Sequence, residues 1–224
     1  MNSEYLIFNL IVLSIPMIFS FEKQVYFYQY WTKVFTASAL IAVPFLIWDS
    51  LVTHKHWWFN EEFTSAFRIF ELPIGEILFF FSIPFACLFI WEVLDTFHKN
   101  KIKENLKPIN IILLFSSPFG IWIFLQEKEY TGLVLISLSI VSIIDLTTNS
   151  KIFQQTKTYL FLSFVILGNL IFNGYLTSRP VVLYDEEFQL GFRIFTIPIE
   201  DFGYGFALLL LNVILFEKLK KAKV

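Results

Sequence analysis

The chain has little charge and almost no cysteine. Only 16% of its 224 residues are charged, and the formal net charge is −2 at pH 7. Binding to nucleic acid requires a concentrated basic face, so we expect no nucleic-acid partner. The single cysteine, Cys87, stands in an apolar run and has no second cysteine to form a disulfide or half of a zinc site.

Cofactor-binding signatures are also absent from the sequence. No G-x-G-x-x-G fingerprint occurs, and the partial match "GYG" at Gly203–Gly205 lies in an apolar segment. Because a dinucleotide site needs that fingerprint, we predict neither flavin nor nicotinamide. His54, His56, Glu61 and Glu62 are metal-ligand types, but their spacing fits no standard zinc pattern. We therefore predict no metal cofactor and interpret these residues as part of an interfacial loop.

What the sequence has in abundance is apolar surface, with 56% hydrophobic residues and 29 Phe. Soluble domains average roughly 45–50% apolar, and a membrane helix needs about 20 mostly apolar residues. We predict an all-α integral membrane protein with seven transmembrane helices. The alternative, a soluble protein, would have to bury all seven segments in one small core. The predicted spans are 4–20, 34–53, 72–94, 109–126, 130–147, 158–176 and 198–216.

Basic residues are distributed unevenly between the two sides of these helices. Twelve of the 17 Lys and Arg residues, Lys223 among them, fall on the side of the C-terminus. The positive-inside rule then predicts a cytoplasmic C-terminus and an outer N-terminus. The first span has no basic segment before it and no cleavage site, so we interpret it as a mature helix. The five basic residues of the other side are Lys55, Arg68, Lys128, Arg179 and Arg193.

An internal repeat relates two parts of the chain. Residues 61–76, "EEFTSAFRIFELPIGE", and residues 186–201, "EEFQLGFRIFTIPIED", are identical at nine of sixteen aligned positions. The offset contains four predicted helices, so both copies run in the same direction, and parallel repeats can form a site between two halves. We predict a three-helix repeat at 1–97, a basic loop and linker helix at 98–128, and a second three-helix repeat at 129–224.

Each repeat places a carboxyl group in the first turn of an apolar helix. Glu76 follows Pro73 and aligns with Asp201, which follows Pro198. A helix N-terminus favours the ionised carboxylate by about 0.3–1 kcal/mol, whereas burial in an apolar site disfavours it by several kcal/mol. If the halves bring the two acids together, we expect one protonated and one ionised group.

Glu200 precedes Asp201, but Gly75 stands at its aligned position. Successive residues point about 100° apart on a helix, which leaves two interpretations open. Either this position contacts only solvent or a loop, or the site is asymmetric and Glu200 alone is the working acid. We take Glu76, Glu200 and Asp201 as candidate catalytic residues without ranking acid and base. The alternative is that they only cap helix N-termini at the interface.

Five further residues are candidates for supporting roles. Asp49 would supply a third acid, since acids within a membrane span are usually functional. Asn173 would orient a carboxyl group, and Tyr204 would hydrogen-bond the acids one helical turn earlier. Arg68 and Arg193 would hold one carboxylate ionised through charge-assisted hydrogen bonds, or would instead extend to the lipid headgroups.

Four motifs resemble the membrane-integral lycopene cyclase domain family: "IWD" at Ile47–Asp49, "LPIGE" at Leu72–Glu76, "NGYLTSRPVVLY" from Asn173 and "FRIFTIPIEDFGYGF" from Phe192. The resemblance covers essentially the whole chain. It implies an isomerase that converts the acyclic ends of linear carotenoids, lycopene or γ-carotene, to β-rings without redox change. It also implies residence in a bacterial inner membrane, with other carotenoid-pathway enzymes as candidate partners. Gly75 departs from the family's pair of acids in the first repeat.

The reaction class requires an acid, a base and a dry pocket. The acid protonates a terminal double bond, a neighbouring double bond attacks the resulting cation, and the base removes a ring proton. The residues leave open a different ring isomer, hydration of the cation, a membrane transporter, or a non-catalytic subunit. A retinal protein is excluded because the last span has no lysine midway for a Schiff base.

Overall fold

The computed structural model describes residues 4–222 and is almost entirely helical. Residues 1–3 and 223–224 lie outside the described residues, and with them Lys223 of the basic C-terminal segment. The α-helices are α1 Glu4–Phe19, α2 Trp31–Val52, α3 Ile74–Phe97, α4 Lys107–Leu114, α5 Ser116–Leu125, α6 Glu129–Thr148, α7 Thr156–Gly168, α8 Gly174–Ser178 and α9 Ile199–Lys221. A π-helical segment, Asn169–Asn173, joins α7 to α8.

Six helical segments are long and apolar enough to cross a membrane, so the protein is an all-α membrane protein. They are Phe27–Val52, Ile74–Phe97, Glu104–Leu125, Glu129–Thr148, Thr156–Ser178 and Ile199–Lys221. α1 is apolar but has only 16 residues, fewer than the roughly 20 that a perpendicular span needs. The count of seven spans therefore remains a prediction.

Two of the predicted spans are not single helices. The fourth is divided at Phe115 into α4 and α5, and the hydroxyl of Ser116 donates to Leu113 O (2.6 Å) and Leu135 O (2.8 Å). The sixth contains the π-helical segment, a feature that is common at functional sites. Hydropathy cannot reveal either irregularity, because the residues on both sides of each are equally apolar.

α3 and α9 begin in the same way, directly after a short β-hairpin. β2 (Arg68–Ile69) pairs with β3 (Leu72–Pro73), and β5 (Arg193–Ile194) pairs with β6 (Ile197–Pro198). Each strand of the second hairpin lies 125 residues after its counterpart, the offset of the sequence alignment (186 minus 61). The closing proline has no N–H to leave unpaired at the start of the helix. The first hairpin is therefore followed by Glu76 in the first turn of α3, and the second by Glu200 and Asp201 in the first turn of α9.

A third antiparallel ladder joins the two copies directly. β1 (Trp57–Phe59) pairs with β4 (Val182–Tyr184), and the central pair is Trp58 with Leu183, again 125 residues apart. On either side of it Trp57 faces Tyr184, and Phe59 faces Val182. The ladder is therefore symmetric about its centre, the self-complementary pairing that a two-fold relation produces.

α9 is the central helix of the bundle and packs against α2, α3, α6 and α7. About two-thirds of the residues in the apolar stretch of α9 are buried, whereas less than half are buried in each of the other five candidate spans. Large apolar side chains on the outer helices, such as Leu51 and Ile112, are exposed. In a membrane protein such exposed apolar side chains are expected to face lipid.

An ionic cluster joins the other ends of α3 and α9. The ammonium of Lys220 lies 2.6 Å from Glu92, 3.4 Å from Glu217 and 3.7 Å from Asp95. Lys157, at the start of α7, is buried and also bonds Asp95. Two ammonium groups offset two of the three acidic charges, and the cluster connects α3, α7 and α9 at the ends far from the hairpins.

Candidate active site

Three buried carboxyl groups from three helices line one cavity. Asp49 comes from the last turn of α2, Glu76 from the first turn of α3 and Asp201 from the first turn of α9. Their exposed fractions are 3%, 8% and 7%, and they are close enough for their charges to interact. Among residues 4–222, the lining of this cavity contains no Lys, Arg or His. The structure thus brings Glu76 and Asp201 together and adds Asp49.

Asp201 is the most heavily hydrogen-bonded of the three. Its Oδ1 accepts from the hydroxyl of Tyr130 at 2.6 Å, and its Oδ2 accepts from Asn173 Nδ2 at 2.7 Å and from the hydroxyl of Tyr184 at 2.9 Å. Burial raises the pKa of the Tyr184 phenol well above its ordinary value, so this group remains a donor. Both oxygens of Asp201 are therefore occupied as acceptors.

From the part of the chain that the structure describes, Glu76 and Asp49 each accept a single hydrogen bond. The hydroxyl of Tyr5 donates to Glu76 Oε2 at 2.7 Å, and the hydroxyl of Tyr204 donates to Asp49 Oδ1 at 2.9 Å. The expectation that Tyr204 bonds the acids one turn earlier on its own helix is wrong. A tyrosine hydroxyl lies far from its own backbone, so it reaches across to the facing helix α2, where its ring also packs edge-on against Phe45 at 5.1 Å.

Glu200 is buried but does not line this cavity. Its Oε1 accepts from the hydroxyl of Thr131 at 2.6 Å and from the amide of Leu190 at 2.8 Å. The sequence left open whether Glu200 contacts a loop or is the working acid of the site. Its bond with Leu190 agrees with contact to a loop. The rotation of about 100° between neighbouring helical residues accounts for the separation of Glu200 from Asp201.

Arg68 and Arg193 lie at equivalent places in the two hairpins, away from the cavity acids. Arg68 Nη1 donates to the carbonyl of Glu71 at 3.2 Å, and Arg193 Nη1 donates to the carbonyl of Thr196 at 2.9 Å. Among residues 4–222, no hydrogen bond or ion pair joins either guanidinium group to a cavity acid, and Arg193 Nε lies 3.6 Å from a carboxylate oxygen of Glu186. Each instead satisfies a carbonyl of its own two-residue turn, a turn in which Phe70 and Phe195 adopt positive φ.

Sequence reasoning did not identify the phenol donors Tyr5, Tyr130 and Tyr184. Two of them carry a signal, because the dipeptide Glu-Tyr occurs at 4–5 and again at 129–130, 125 residues apart. Extending the repeat alignment toward its N-terminal end would have found them. Both bonds from this pair of tyrosines to a carboxyl group span 71 residues of chain, so local periodicity gives no indication of them.

Away from the acids, the cavity is apolar and elongated. Its lining extends along α3 from Glu76 to Ile90, which corresponds to about 21 Å at 1.5 Å per residue, and it includes Cys87, Phe164 and Leu209. The aromatic rings of Trp57, Phe79 and Tyr204 lie nearer the polar end. The cavity therefore combines acid groups at one end with a long hydrocarbon-compatible channel.

Comparison with known proteins finds one family. A family model described as "Lycopene cyclase" matches residues 2–94 and 127–219, which is most of the chain. The two matched segments begin 125 residues apart (127 minus 2), the offset that relates the two hairpins. No curated protein and no solved structure matches the chain.

Proposed function

The chain belongs to the lycopene cyclase family, and we propose that it closes the acyclic end groups of linear carotenoids into β-rings within the membrane. The observation that carries the proposal is the cluster of three buried carboxyl groups at one end of a long apolar cavity. The substrate class follows from the family. The ring type and the mechanism are proposed here.

The protein's part in this chemistry is proton transfer, because ring closure itself forms a bond between two carbon atoms of the substrate. A neutral carboxyl group donates its proton to the terminal double bond, and the electron pair of that bond forms the new C–H bond, which leaves a tertiary cation. The neighbouring double bond attacks the cation and closes the ring. A carboxylate then removes a ring proton, whose electrons form the ring double bond. One proton enters and one leaves, so the product is an isomer of the substrate and no redox partner is needed.

The cavity suits each of these steps. Burial without a lysine or arginine in the lining favours the neutral form of at least one carboxyl group. Aromatic faces such as that of Trp57 stabilise a cation, and the apolar walls exclude the water that would otherwise capture it. The polyene tail would occupy the channel toward Ile90. Ring closure is therefore favoured over hydration.

We also propose that the bundle consists of two parallel three-helix repeats, 1–97 and 129–224, joined by a linker at 98–128. Three observations support this arrangement. The hairpins recur, the β1–β4 ladder is symmetric, and the hydrogen-bonded pairs Tyr5–Glu76 and Tyr130–Asp201 are equivalent. The proposal includes α1 as a seventh span and, from the basic residues, a cytoplasmic C-terminus in a bacterial inner membrane. Other enzymes of carotenoid synthesis remain proposed partners.

Expression in a lycopene-accumulating bacterium tests the proposed function. We expect lycopene to decrease and β-carotene or γ-carotene to appear when membrane pigments are separated by chromatography. The matched control is the double variant Glu76→Gln with Asp201→Asn, which keeps the side-chain volumes and removes two carboxyl groups, so lycopene should persist. Unchanged lycopene in cells whose membranes contain the unaltered chain would refute the proposal.

A further inference from the structure

The three cavity acids differ in position on their helices and in hydrogen bonding. Asp49 lies in the last turn of α2, whereas Glu76 and Asp201 lie in first turns. The negative end of a helix dipole disfavours an adjacent carboxylate, and the positive end favours one. By helix position alone, Asp49 is the acid most disposed to hold a proton.

Hydrogen bonding also distinguishes Asp49 from Asp201. Asp201 accepts three hydrogen bonds on its two oxygens, and donors to a carboxylate stabilise the ionised form. Asp49 accepts one, from Tyr204, and within residues 4–222 no donor reaches its second oxygen. Asp49 is nevertheless the least exposed of the three, at 3%. A group so buried, with one donor and two carboxyl neighbours, is expected to be neutral.

The repeat gives no equivalent of Asp49. Its aligned position is Gly174, and Trp48 aligns with Asn173, the amide that bonds Asp201. The first copy therefore has a carboxyl group where the second copy has glycine. The second copy has an amide that bonds Asp201 where the first copy has the indole of Trp48. The cavity is thus chemically asymmetric although its two halves are related.

We infer that Asp49 is the general acid that protonates the carotenoid end group and that Asp201 is the ionised base that removes the ring proton. This assignment rests on the proposed cyclase function. Asp49 loses the proton that forms the new C–H bond, and Asp201 gains the proton released from the ring. The cavity therefore holds the same number of protons before and after ring closure. Glu76, at a helix N-terminus with one donor, is the third carboxyl group at this end of the cavity.

Infrared spectroscopy of the purified protein in detergent locates the proton without any substrate. A protonated carboxyl group gives a C=O stretching band that moves on transfer to D₂O. We expect such a band at neutral pH, lost in Asp49→Asn and retained in Asp201→Asn. The exposed Glu71→Gln is the control for the change of acid to amide and should leave the band unchanged. Retention of the full band in Asp49→Asn, or its loss in Asp201→Asn, would overturn the assignment.

Analysis of the carotenoid products is a second test. If Asp49 and Asp201 had only structural roles, their variants would not differ in which products form. Asp49→Asn should reduce formation of every product by about 10²–10⁴-fold, since general acid catalysis contributes that much. Asp201→Asn should still form the cation but release a proton from other positions, so the residual product should contain other ring isomers or a hydrated end group. Unaltered product ratios in Asp201→Asn, or normal conversion by Asp49→Asn, would contradict the assignment.

A third variant covers failure of Asp49→Asn to fold. Asp49→Glu keeps the carboxyl group and should show the infrared band at a changed frequency, with partial conversion. An unshifted band in this variant would mean that the proton lies elsewhere and would overturn the assignment. Absence of cyclisation by the unaltered chain would instead remove the proposed function, while the infrared band would still report where the proton lies.

Discussion

At the scale of single residues, Gly75 and Tyr5 share one packed space at the start of α3. A Cβ atom on Gly75 would lie 2.8 Å from Tyr5 Cδ1 and 2.9 Å from Cγ, too close for real contacts. The ring of Tyr5 is held there while its hydroxyl bonds Glu76. Any side chain at position 75, an acid included, would therefore clash with Tyr5 as it is placed here.

Gly75→Ala tests this packing. The added methyl group should displace Tyr5 from Glu76, lower the stability by about 1–3 kcal/mol as overpacking does, and reduce carotenoid conversion. Gly174→Ala is the matched control, because its Cβ would meet only Ile197 Cδ1 at 3.6 Å. Thermal unfolding in detergent and pigment analysis measure both effects. If Gly75→Ala and Gly174→Ala have the same unfolding temperature and the same carotenoid conversion, the hydrogen bond of Tyr5 to Glu76 does not depend on glycine at position 75.

The acids and one of their donors, Asn173, could be predicted from the sequence, whereas Tyr184 could not. Glu76 and Asp201 stand out because they begin apolar helices after a proline in aligned positions, and the family match confirms the resemblance that these motifs carry. Tyr184 lies on a strand whose pairing with Trp57 joins the two copies across 127 residues (184 minus 57). Contacts over such distances depend on the packing of whole helices, which one sequence does not encode locally.

At the scale of elements, α3 and α9 are constrained at both ends. Each begins at a hairpin that places an acid in the cavity, and both end in the ionic cluster around Lys220. The hydropathy pattern located both helices to within a few residues, because their apolar runs are long. It could not locate the cluster, because Glu92 and Glu217 come from helices far apart in sequence and meet around Lys220 only after the helices pack.

Lys220→Met tests whether the cluster holds the two helices together. Removal of the ammonium group leaves the buried carboxylate of Glu92 without a cationic partner, and breaking a buried ion pair typically costs about 3–5 kcal/mol. We expect a clear decrease in the midpoint of thermal unfolding, measured by loss of helical circular dichroism in detergent. Lys218→Met is the control, because Lys218 is exposed on the same turn of α9. Equal midpoints for the two variants would show that the cluster does not stabilise the bundle.

At the scale of the whole molecule, the helices enclose one channel with three carboxyl groups at its polar end. The β1–β4 ladder covers that end, and the apolar lining continues along α3 toward Ile90. The alignment of residue 61 with residue 186 predicts two related halves, and this arrangement remains a proposal. The channel could not be predicted, because it is a space left between α1, α3, α7 and α9 and depends on how closely they approach.

The central claim is that a carboxyl proton starts ring closure, and cyclisation in D₂O measures it most directly. Membranes that contain the unaltered chain are equilibrated in D₂O and supplied with lycopene. The cyclic product is then analysed by mass spectrometry. The exchangeable proton of the carboxyl group becomes a deuteron, whereas the proton lost comes from the substrate. We predict a product heavier by about one mass unit for each ring formed, in a position that does not exchange back, since each closure adds one acid proton. Rings that form without deuterium would contradict the account.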